Sequence, residues 1–173
     1  MEPGLERLNS LPANDAEAEF GKCCGSTNWA RGMAAERPFA NLHQLITIAN
    51  RIWWSLKPDD WLQAFASHPK IGADKATLTA DKAPNHSGNW AAQEQAGAQD
   101  AVEKTARSLA ELNREYEERF GYIYIVCATG KSSEEMLAIL QERLPNDTET
   151  ELQIAAREQS RITELRLGKL INS

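Results

Sequence analysis

A histidine lies between a predicted helix end and a rigid turn in the segment His68-Pro69-Lys70-Ile71-Gly72. Proline fixes its own φ and disfavours the α region for the residue before it, so His68 must leave the helical path predicted for residues 61–65. Imidazole changes its charge close to neutral pH, which makes His68 a candidate for proton transfer. A second interpretation is a capping histidine whose ring meets the last carbonyls of the preceding helix.

A carboxylate flanked by two amides, Gln93-Glu94-Gln95, lies near the start of a long predicted helix. If Glu94 faces inward, Gln95 points about 100° away around the helix and offers an amide to a neighbouring part of the same pocket. A carboxylate, an amide and an imidazole would then surround one small polar substrate. The alternative is a solvated helix face, where Glu and Gln are found most often.

An arginine between two leucines, Leu165-Arg166-Leu167, lies on an apolar predicted helix. Its guanidinium is either a buried anion clamp or the charged end of a side chain whose stem covers apolar surface while its head reaches water. The sequence leaves both interpretations open.

Metal and cofactor chemistry have little support in the sequence. The three histidines, His43, His68 and His86, form neither an i, i+4 helical pair nor a group with a cysteine-rich motif. Glycine-rich phosphate loops, a G-x-S-x-G nucleophile motif and a dinucleotide fingerprint are all missing. We therefore expect no metal and no organic cofactor, and acid and base catalysis is the chemistry that remains.

Length and composition indicate one domain with a hydrophobic core. The chain has 173 residues, of which 42% are hydrophobic. Its net charge of -6, with Lys and Arg interspersed among Glu and Asp, argues against binding to nucleic acid. No apolar run approaches the roughly 20 residues of a membrane span.

The cysteines and the first residues indicate a cytoplasmic protein. Met1-Glu2-Pro3-Gly4 lacks the basic and then apolar profile of a signal peptide. Cys23, Cys24 and Cys127 are odd in number, and the adjacent pair lacks the spacing of a zinc or redox site. We expect three reduced, mostly buried thiols.

Helical periodicity dominates the chain, and start signals for helices precede most of the apolar stripes. Residues 72–88 have no such period and predict a long loop. The predicted helices are short pieces around 17–23 and 29–35, 42–56 after an Asn41 cap, a short helix from Pro58, a long helix from Trp90 to Phe120 after an Asn89 cap with Gly97 as a point where it could break, a helix capped by Ser132 and ended by Pro145, and a last helix capped by Asp147.

One segment, Tyr122-Ile123-Tyr124-Ile125-Val126-Cys127, is β-branched and aromatic and is typical of a strand. A lone strand has no sheet to join, so we expect a short extended segment near 122–127 threaded through helices. Its backbone groups must find other partners and can be offered to a ligand. The predicted fold is all-α, a single-domain helical bundle over residues 1–173 with this one extended segment.

Motifs spread along almost the whole chain occur in a characteristic order. They are Glu19-Phe20, Cys23-Cys24-Gly25-Ser26, Trp29-Ala30, Met33, Arg37-Pro38-Phe39, His68-Pro69-Lys70-Ile71-Gly72, Glu94-Gln95-Ala96-Gly97, Leu112-Asn113, Tyr116, Phe120-Gly121-Tyr122, Ile125, Ile162-Thr163 and Leu165-Arg166-Leu167. Each is modestly specific, but together they resemble the OHCU decarboxylases. That family acts on 2-oxo-4-hydroxy-4-carboxy-5-ureidoimidazoline (OHCU) in the urate-to-allantoin pathway.

The resemblance implies an all-α, usually dimeric protein that needs neither metal nor organic cofactor. It places the family's catalytic histidine on His68 and its glutamate on Glu94, with Gln95 as the neighbouring amide. Ala91 stands where many members have a serine. A hydrogen bond to the substrate is therefore missing here or is supplied by Ser87 or water.

The resemblance also implies further substrate-binding residues. The family's substrate-binding arginine falls on Arg166, with Arg161 as second choice, and Pro69 lies beside the catalytic histidine. Apart from the resemblance, the extended segment itself suggests a mechanistic hypothesis, in which its backbone N–H groups bind the ring carbonyl as an oxyanion hole. The residues concerned are Ile125, Val126, Cys127 and Ala128.

The function that the resemblance implies is cofactor-independent decarboxylation of OHCU to (S)-allantoin, and our hypothesis for it has His68 as proton donor and Glu94 orienting the substrate. The expected partners are this small molecule and a second copy of the chain. An alternative is a helical module without catalysis, which binds a partner protein through the long helix and residues 73–88. Hydrolysis of 5-hydroxyisourate, the preceding intermediate, is disfavoured because the chain lacks that family's strand-rich alternation and its His and Arg pattern.

Overall fold

The computed structural model describes residues 2–70 and 91–173, and for 91–100 it describes the backbone alone. Within these ranges the chain forms helices and no strand, which confirms the predicted all-α fold. None of the helices is long and apolar enough to cross a membrane. They are α1 (Pro3–Ser10), α2 (Ala13–Cys23), α3 (Thr27–Ala35), α4 (Leu42–Ser55), α5 (Pro58–Ala66), α6 (Ala91–Phe120), α7 (Ser133–Arg143) and α8 (Thr148–Asn172).

The predicted helix caps are confirmed where the structure describes them. The Asn41 side chain accepts the backbone N–H of Gln44 at 2.8 Å, and Asp147 accepts that of Thr150 at 2.9 Å. Ser132 begins α7 in a capping box with the glutamate three residues later. Each cap pairs an N–H group that the first turn of a helix leaves without a partner.

The first helix, α1, was not expected from the pattern of the sequence. Pro3 suits a first helical turn because it lacks the N–H that would be unpaired there. Leu5 and Leu8 share one helix face, and both side chains are fully buried. Burial of this face explains why so short a segment is helical.

The long helix α6 continues through Gly97, where the sequence suggested a break. One glycine costs a helix only about 1 kcal/mol relative to alanine, which thirty residues of helix can absorb. The predicted loop over 72–88 and the predicted Asn89 cap and Trp90 start lie outside the described residues.

The described residues group into two compact units. The first joins residues 1–68 to 152–173 and contains α1 to α5 with most of α8. The second, residues 69–151, contains α6, α7 and the first turn of α8. A single domain over the whole chain stays a prediction.

Three buried tryptophans connect the helices of the first unit. The indole N–H of Trp29 donates to the carbonyl of Ala49 at 3.1 Å, that of Trp53 to Ala156 at 3.0 Å, and that of Trp61 to Trp53 at 3.0 Å. Each indole buries a large apolar area while its donor stays paired. These bonds join α3 to α4, α4 to α8 and α5 to α4.

A buried ion pair organises the second unit. Nε and Nη2 of Arg143 lie 2.6 and 2.5 Å from Oε1 of Glu151, and Nη1 donates to the Ile125 carbonyl at 2.7 Å. The Tyr116 hydroxyl and the Asn146 amide donate to the same carboxylate at 2.5 and 3.1 Å. Residues 123–128 are neither helix nor strand, and this arginine supplies one of the partners that their backbone requires.

Glu151→Ala is expected to lower the free energy of unfolding by about 3–5 kcal/mol, because it leaves the Arg143 guanidinium buried without its carboxylate. Urea unfolding measures the change. Glu149→Ala, which removes an exposed carboxylate from the same helix, is the control and should cost under about 0.5 kcal/mol. The free energy of unfolding should fall less in the double variant Arg143→Met/Glu151→Leu than in Glu151→Ala. Equal losses of stability in Glu151→Ala and Glu149→Ala would contradict the ion pair's role.

Candidate functional site

His68 leaves the end of α5 and lies half-buried in the first unit. Ser67 is the C-cap of α5, and the backbone N–H of His68 donates to the Phe65 carbonyl at 3.2 Å. Gly25, just before α3, permits close packing here, since a Cβ at that position would overlap the Ser67 side chain. The helix end predicted from the following proline is confirmed, and this packing fixes where the histidine side chain starts.

Both ring nitrogens of His68 contact side chains of α8. Nε2 lies 2.6 Å from Oε1 of Gln159, and Nδ1 lies 3.5 Å from Nη2 of Arg166. The interpretation of His68 as a cap for the carbonyls of α5 is wrong, because neither ring nitrogen is directed at them. The structure therefore brings together two of the residues predicted for the site and adds a third.

The amide of Gln159 is fully buried and held in one orientation. Its Nε2 donates to Oγ1 of Thr163 at 3.2 Å, and the Thr163 hydroxyl donates to the Gln159 backbone carbonyl at 3.0 Å. That hydroxyl has one proton, so toward the amide it can act only as an acceptor, and the NH₂ group must point to it. Oε1 is then the amide atom that faces His68.

One face of α8 carries this group, because Gln159, Thr163 and Arg166 are spaced i, i+4 and i+7. Arg166 is half-buried, and its Nη1 donates to the Cys23 carbonyl at 3.4 Å. No carboxylate among the described residues pairs with it. Its guanidinium is therefore turned toward the histidine and not outward along the helix surface.

Arg161, the second choice for the substrate-binding arginine, has different surroundings. Its side chain is 58% exposed, and Nη1 lies 3.1 Å from Oε1 of Glu158. Among the two arginines, only Arg166 lies beside His68.

Burial lowers the pKa of His68, since the imidazolium form loses hydration. The hydrogen bond to Gln159 acts in the opposite direction, and the positive charge of Arg166 lowers the pKa further. The net effect is a pKa below the ordinary value of 6.5. The imidazole is therefore mainly neutral at neutral pH.

The three cysteines are free and buried, as the sequence predicts for thiols. Burial raises the pKa of Cys23 and of Cys24 to about 11. A thiol is nucleophilic only as thiolate, so neither of these residues serves as a nucleophile at neutral pH. Within the described ranges, no group of three or more His, Cys, Asp or Glu side chains is placed to hold a metal ion.

The carboxylate and amide predicted for the site belong to α6. Ala91, Glu94 and Gln95 are spaced i, i+3 and i+4, so their backbone positions share one side of the first turns of this helix. Their side chains lie outside the described residues, and Ser87 does so entirely. Their roles stay predictions, as does that of Pro69, which is exposed.

The predicted oxyanion-hole segment lies in the second unit. Ile125, Val126 and Cys127 are buried, and Ala128 is exposed. The Cys127 carbonyl accepts Nζ of Lys131 at 2.8 Å, in addition to the contact of the Ile125 carbonyl with the buried arginine described above. Two carbonyls of the segment are thus held by cations.

Sequence reasoning missed Gln159, Arg143 and Glu151. Helical spacing could have indicated Gln159, since it lies four residues before Thr163 and seven before Arg166, both of which belong to recognised motifs. Arg143 and Glu151 lie in charged stretches typical of solvated helix surfaces. No local pattern distinguishes them.

Comparison with known proteins gives the class that this fold and site define. Residues 9–168 match the model of the OHCU decarboxylase family. The chain is 37% identical, over 90% of its length, to the uric acid degradation bifunctional protein TTL of Arabidopsis thaliana. It is 34% identical, over 96% of its length, to the 2-oxo-4-hydroxy-4-carboxy-5-ureidoimidazoline decarboxylase of Amia calva. It spans 47% of the plant protein, about half, and 94% of the Amia protein.

Solved structures show the same architecture. The crystal structure of an OHCU decarboxylase in the presence of (S)-allantoin is 35% identical, with a TM-score of 0.73, and the match covers 90% of this chain and 98% of that one. The crystal structure of an (S)-allantoin synthase, at 17% identity and a TM-score of 0.67, covers 96% of this chain and 53% of that one, and it shares the fold. The chain belongs to the OHCU decarboxylase family, as the order of its motifs predicts.

The pKa of His68 predicts a pH dependence of stability. Because the folded-state pKa of His68 is below 6.5, the unfolded chain binds more protons than the folded chain at acidic pH. The contribution of neutral His68 to the free energy of unfolding is therefore complete above about pH 6.5. It is lost as the pH falls through the folded-state pKa. Urea unfolding at about pH 7.5 and about pH 5 should show a smaller loss of stability in His68→Gln than in the wild type. His43→Gln, which changes an exposed histidine, is the control and should lose as much stability as the wild type. An unchanged loss in His68→Gln would contradict a lowered pKa.

Proposed function

We propose that this chain decarboxylates OHCU to (S)-allantoin in urate breakdown. The observation that carries the proposal is the half-buried, neutral imidazole of His68, which lies between an amide oxygen of Gln159 and the guanidinium of Arg166. Membership of the OHCU decarboxylase family supplies the substrate class. The name of the Arabidopsis thaliana relative supplies the pathway, and that of the Amia calva relative supplies the reaction.

The structure of the substrate determines what the protein must do. The carboxylate and the hydroxyl share carbon 4 of OHCU, and carbon 5 carries the ureido group and the imine. When the bond to the carboxylate breaks, CO₂ leaves, the electron pair forms a double bond between carbons 4 and 5, and the imine nitrogen takes a proton from solvent. The hydroxyl then loses a proton and carbon 5 gains one, which gives the ring carbonyl and the stereocentre of allantoin. The imine serves as the electron acceptor, so the reaction needs no organic cofactor.

A neutral His68 suits the transfer of the hydroxyl proton to carbon 5. Its lowered pKa leaves the free base available at neutral pH, so the ring can accept the hydroxyl proton. It then donates this proton to carbon 5, which is the role of proton donor predicted from the sequence. Delivery from one side of the ring yields a single enantiomer.

Arg166 binds an anionic group of the substrate in this proposal. It is half-buried beside His68 and pairs with no carboxylate of the described residues, so its charge is available to a ligand. Glu94 hydrogen-bonds the hydroxyl or the ureido group and orients the leaving carboxylate, and Gln95 contacts the ureido edge. Ala91 and Pro69 keep their predicted places among the substrate-binding residues.

Backbone N–H groups of residues 125–128 stabilise the negative charge on the ring oxygen in this proposal, at about 3 kcal/mol per donor. The support is the rigid anchoring of this segment. Its Ile125 carbonyl accepts from Arg143, whose charge is in turn fixed by Glu151, so the backbone is held before a ligand arrives. The homodimer and the cytoplasmic location remain predictions from the sequence.

His68→Ala is expected to lower the rate of stereoselective decarboxylation by at least about 100-fold, because a positioned general acid contributes about 100- to 10,000-fold. The measurement follows optically active allantoin by circular dichroism after addition of the protein to freshly generated OHCU in metal-free buffer. His43→Ala, which removes an exposed histidine of α4, is the control and should keep full activity. Normal turnover by folded His68→Ala would remove this residue from the mechanism, and a wild type that does not accelerate the reaction would end the proposal.

Arg166→Met is expected to lower kcat/KM by about 10- to 100-fold, because a hydrogen bond to a charged group contributes about 1.5–3 kcal/mol. Arg161→Met, which removes an exposed arginine from the same helix, should lower it less than about 2-fold. The same circular dichroism assay over a range of OHCU concentrations gives both values. The reverse order of effects would move the anion-binding role to Arg161.

A further inference from the structure

The hydrogen-bond partners of His68 determine which of its two neutral tautomers is present. On one side, the ring nitrogen Nε2 faces Oε1 of Gln159 at 2.6 Å, and this amide oxygen can only accept. Nε2 must therefore carry the proton. The hydrogen bonds with Thr163 fix the orientation of this amide.

The other ring nitrogen gives the same answer from an independent contact. Nδ1 faces Nη2 of Arg166 at 3.5 Å, and a guanidinium has donors but no acceptor. A proton on Nδ1 would point at a donor and a positive charge, whereas a lone pair there accepts a hydrogen bond. Both sides of the ring thus favour the tautomer with a proton on Nε2 and none on Nδ1.

We propose that Gln159 is a positioning residue that fixes His68 in the Nε2–H tautomer, so that Nδ1 is the atom that exchanges a proton with the substrate. The proposal rests on the proposed function for its catalytic consequence, while the assignment of the tautomer stands on the contacts alone. The Gln159 side chain is fully buried. It acts through the ring, by the hydrogen bond at Nε2.

The burial of Gln159 explains why its amide holds His68 in one tautomer. The side chain is fully buried, so no water competes for its oxygen, and rotation of the amide would break its bond to Thr163 and set NH₂ against the ring N–H. The contact spans 91 residues in sequence and joins the end of α5 to α8. It therefore also holds the ring plane in place relative to the Arg166 guanidinium.

The first part of the test measures the tautomer by nuclear magnetic resonance. Two-bond ¹H–¹⁵N correlation spectra of uniformly ¹⁵N-labelled wild-type protein, recorded at about pH 8 where histidine is neutral, show which ring nitrogen carries a proton. The His68 signals are those that disappear in His68→Ala. We expect a protonated Nε2 and an unprotonated Nδ1. A protonated Nδ1 in the wild type would overturn the proposal without any variant of Gln159.

The second part compares Gln159→Met, Gln159→Glu and Gln153→Met. Methionine has a similar volume but no strong acceptor, so the Nδ1–H tautomer should become populated and kcat should fall by about 10-fold or more, with KM within about 2-fold. Glutamate keeps the acceptor and should keep Nε2 protonated. Gln153→Met changes an exposed glutamine of the same helix and should leave spectrum and kcat unchanged.

The outcomes separate this inference from the proposed function. An unchanged tautomer and unchanged kcat in Gln159→Met would overturn the positioning role even if the wild type produces (S)-allantoin. A wild type with the expected tautomer but no acceleration of OHCU decarboxylation would refute the proposed function and leave the tautomer assignment standing. Circular dichroism of each variant shows whether it is folded. If Gln159→Met does not fold, the ¹H–¹⁵N correlation spectrum of the wild type still decides the tautomer.

Discussion

The short hydrogen bond between Nε2 of His68 and the buried amide oxygen of Gln159 is the interaction on which the site depends. A half-buried imidazole can be positively charged or can exist as either of two neutral tautomers, and its surroundings must select one of these three forms. Burial and the neighbouring Arg166 disfavour the charged form, while the amide selects the neutral tautomer. The ring is thereby prepared as a base on one nitrogen, with a cation beside it that can bind an anionic substrate.

The first unit is built so that this hydrogen bond can form. α5 ends directly before His68, and the close approach of Gly25 to Ser67 sets where the side chain begins. α8 presents Gln159 and Arg166 on one face, and the indole bond from Trp53 to Ala156 ties that helix to α4. Large buried aromatic side chains with paired polar atoms thus hold the two parts of the chain that meet at the imidazole.

Local signals in the sequence predicted a large part of the fold. Caps such as Asn41, Ser132 and Asp147 act within one helical turn, so their residue types are sufficient to locate helix starts. Helix α1 could not be predicted in this way, because its two buried leucines are too few to establish a helical period of apolar residues. The ordered motifs also predicted the family, and they include His68 and Arg166, which are in contact in the structure.

Contacts between distant parts of the chain could not be predicted in the same way. Helical spacing relates Gln159 to Arg166, but glutamine on a helix is usually solvated. Nothing around Gln159 in the sequence shows that its amide is buried against a histidine 91 residues away. The same holds for Arg143 and Glu151, whose pairing becomes visible only once α7 and the start of α8 are placed. Such polar pairs are specified by tertiary packing, which no window of the sequence contains.

A crystal structure of this chain with (S)-allantoin bound would show which ring nitrogen of His68 faces the ligand. We expect the ligand within about 3.5 Å of Nδ1 of His68, with Nε2 still hydrogen-bonded to Gln159 and Arg166 in contact with a ligand oxygen. A ligand that approaches the ring from the Nε2 side, or that binds away from His68, would contradict the role of Nδ1 in proton exchange.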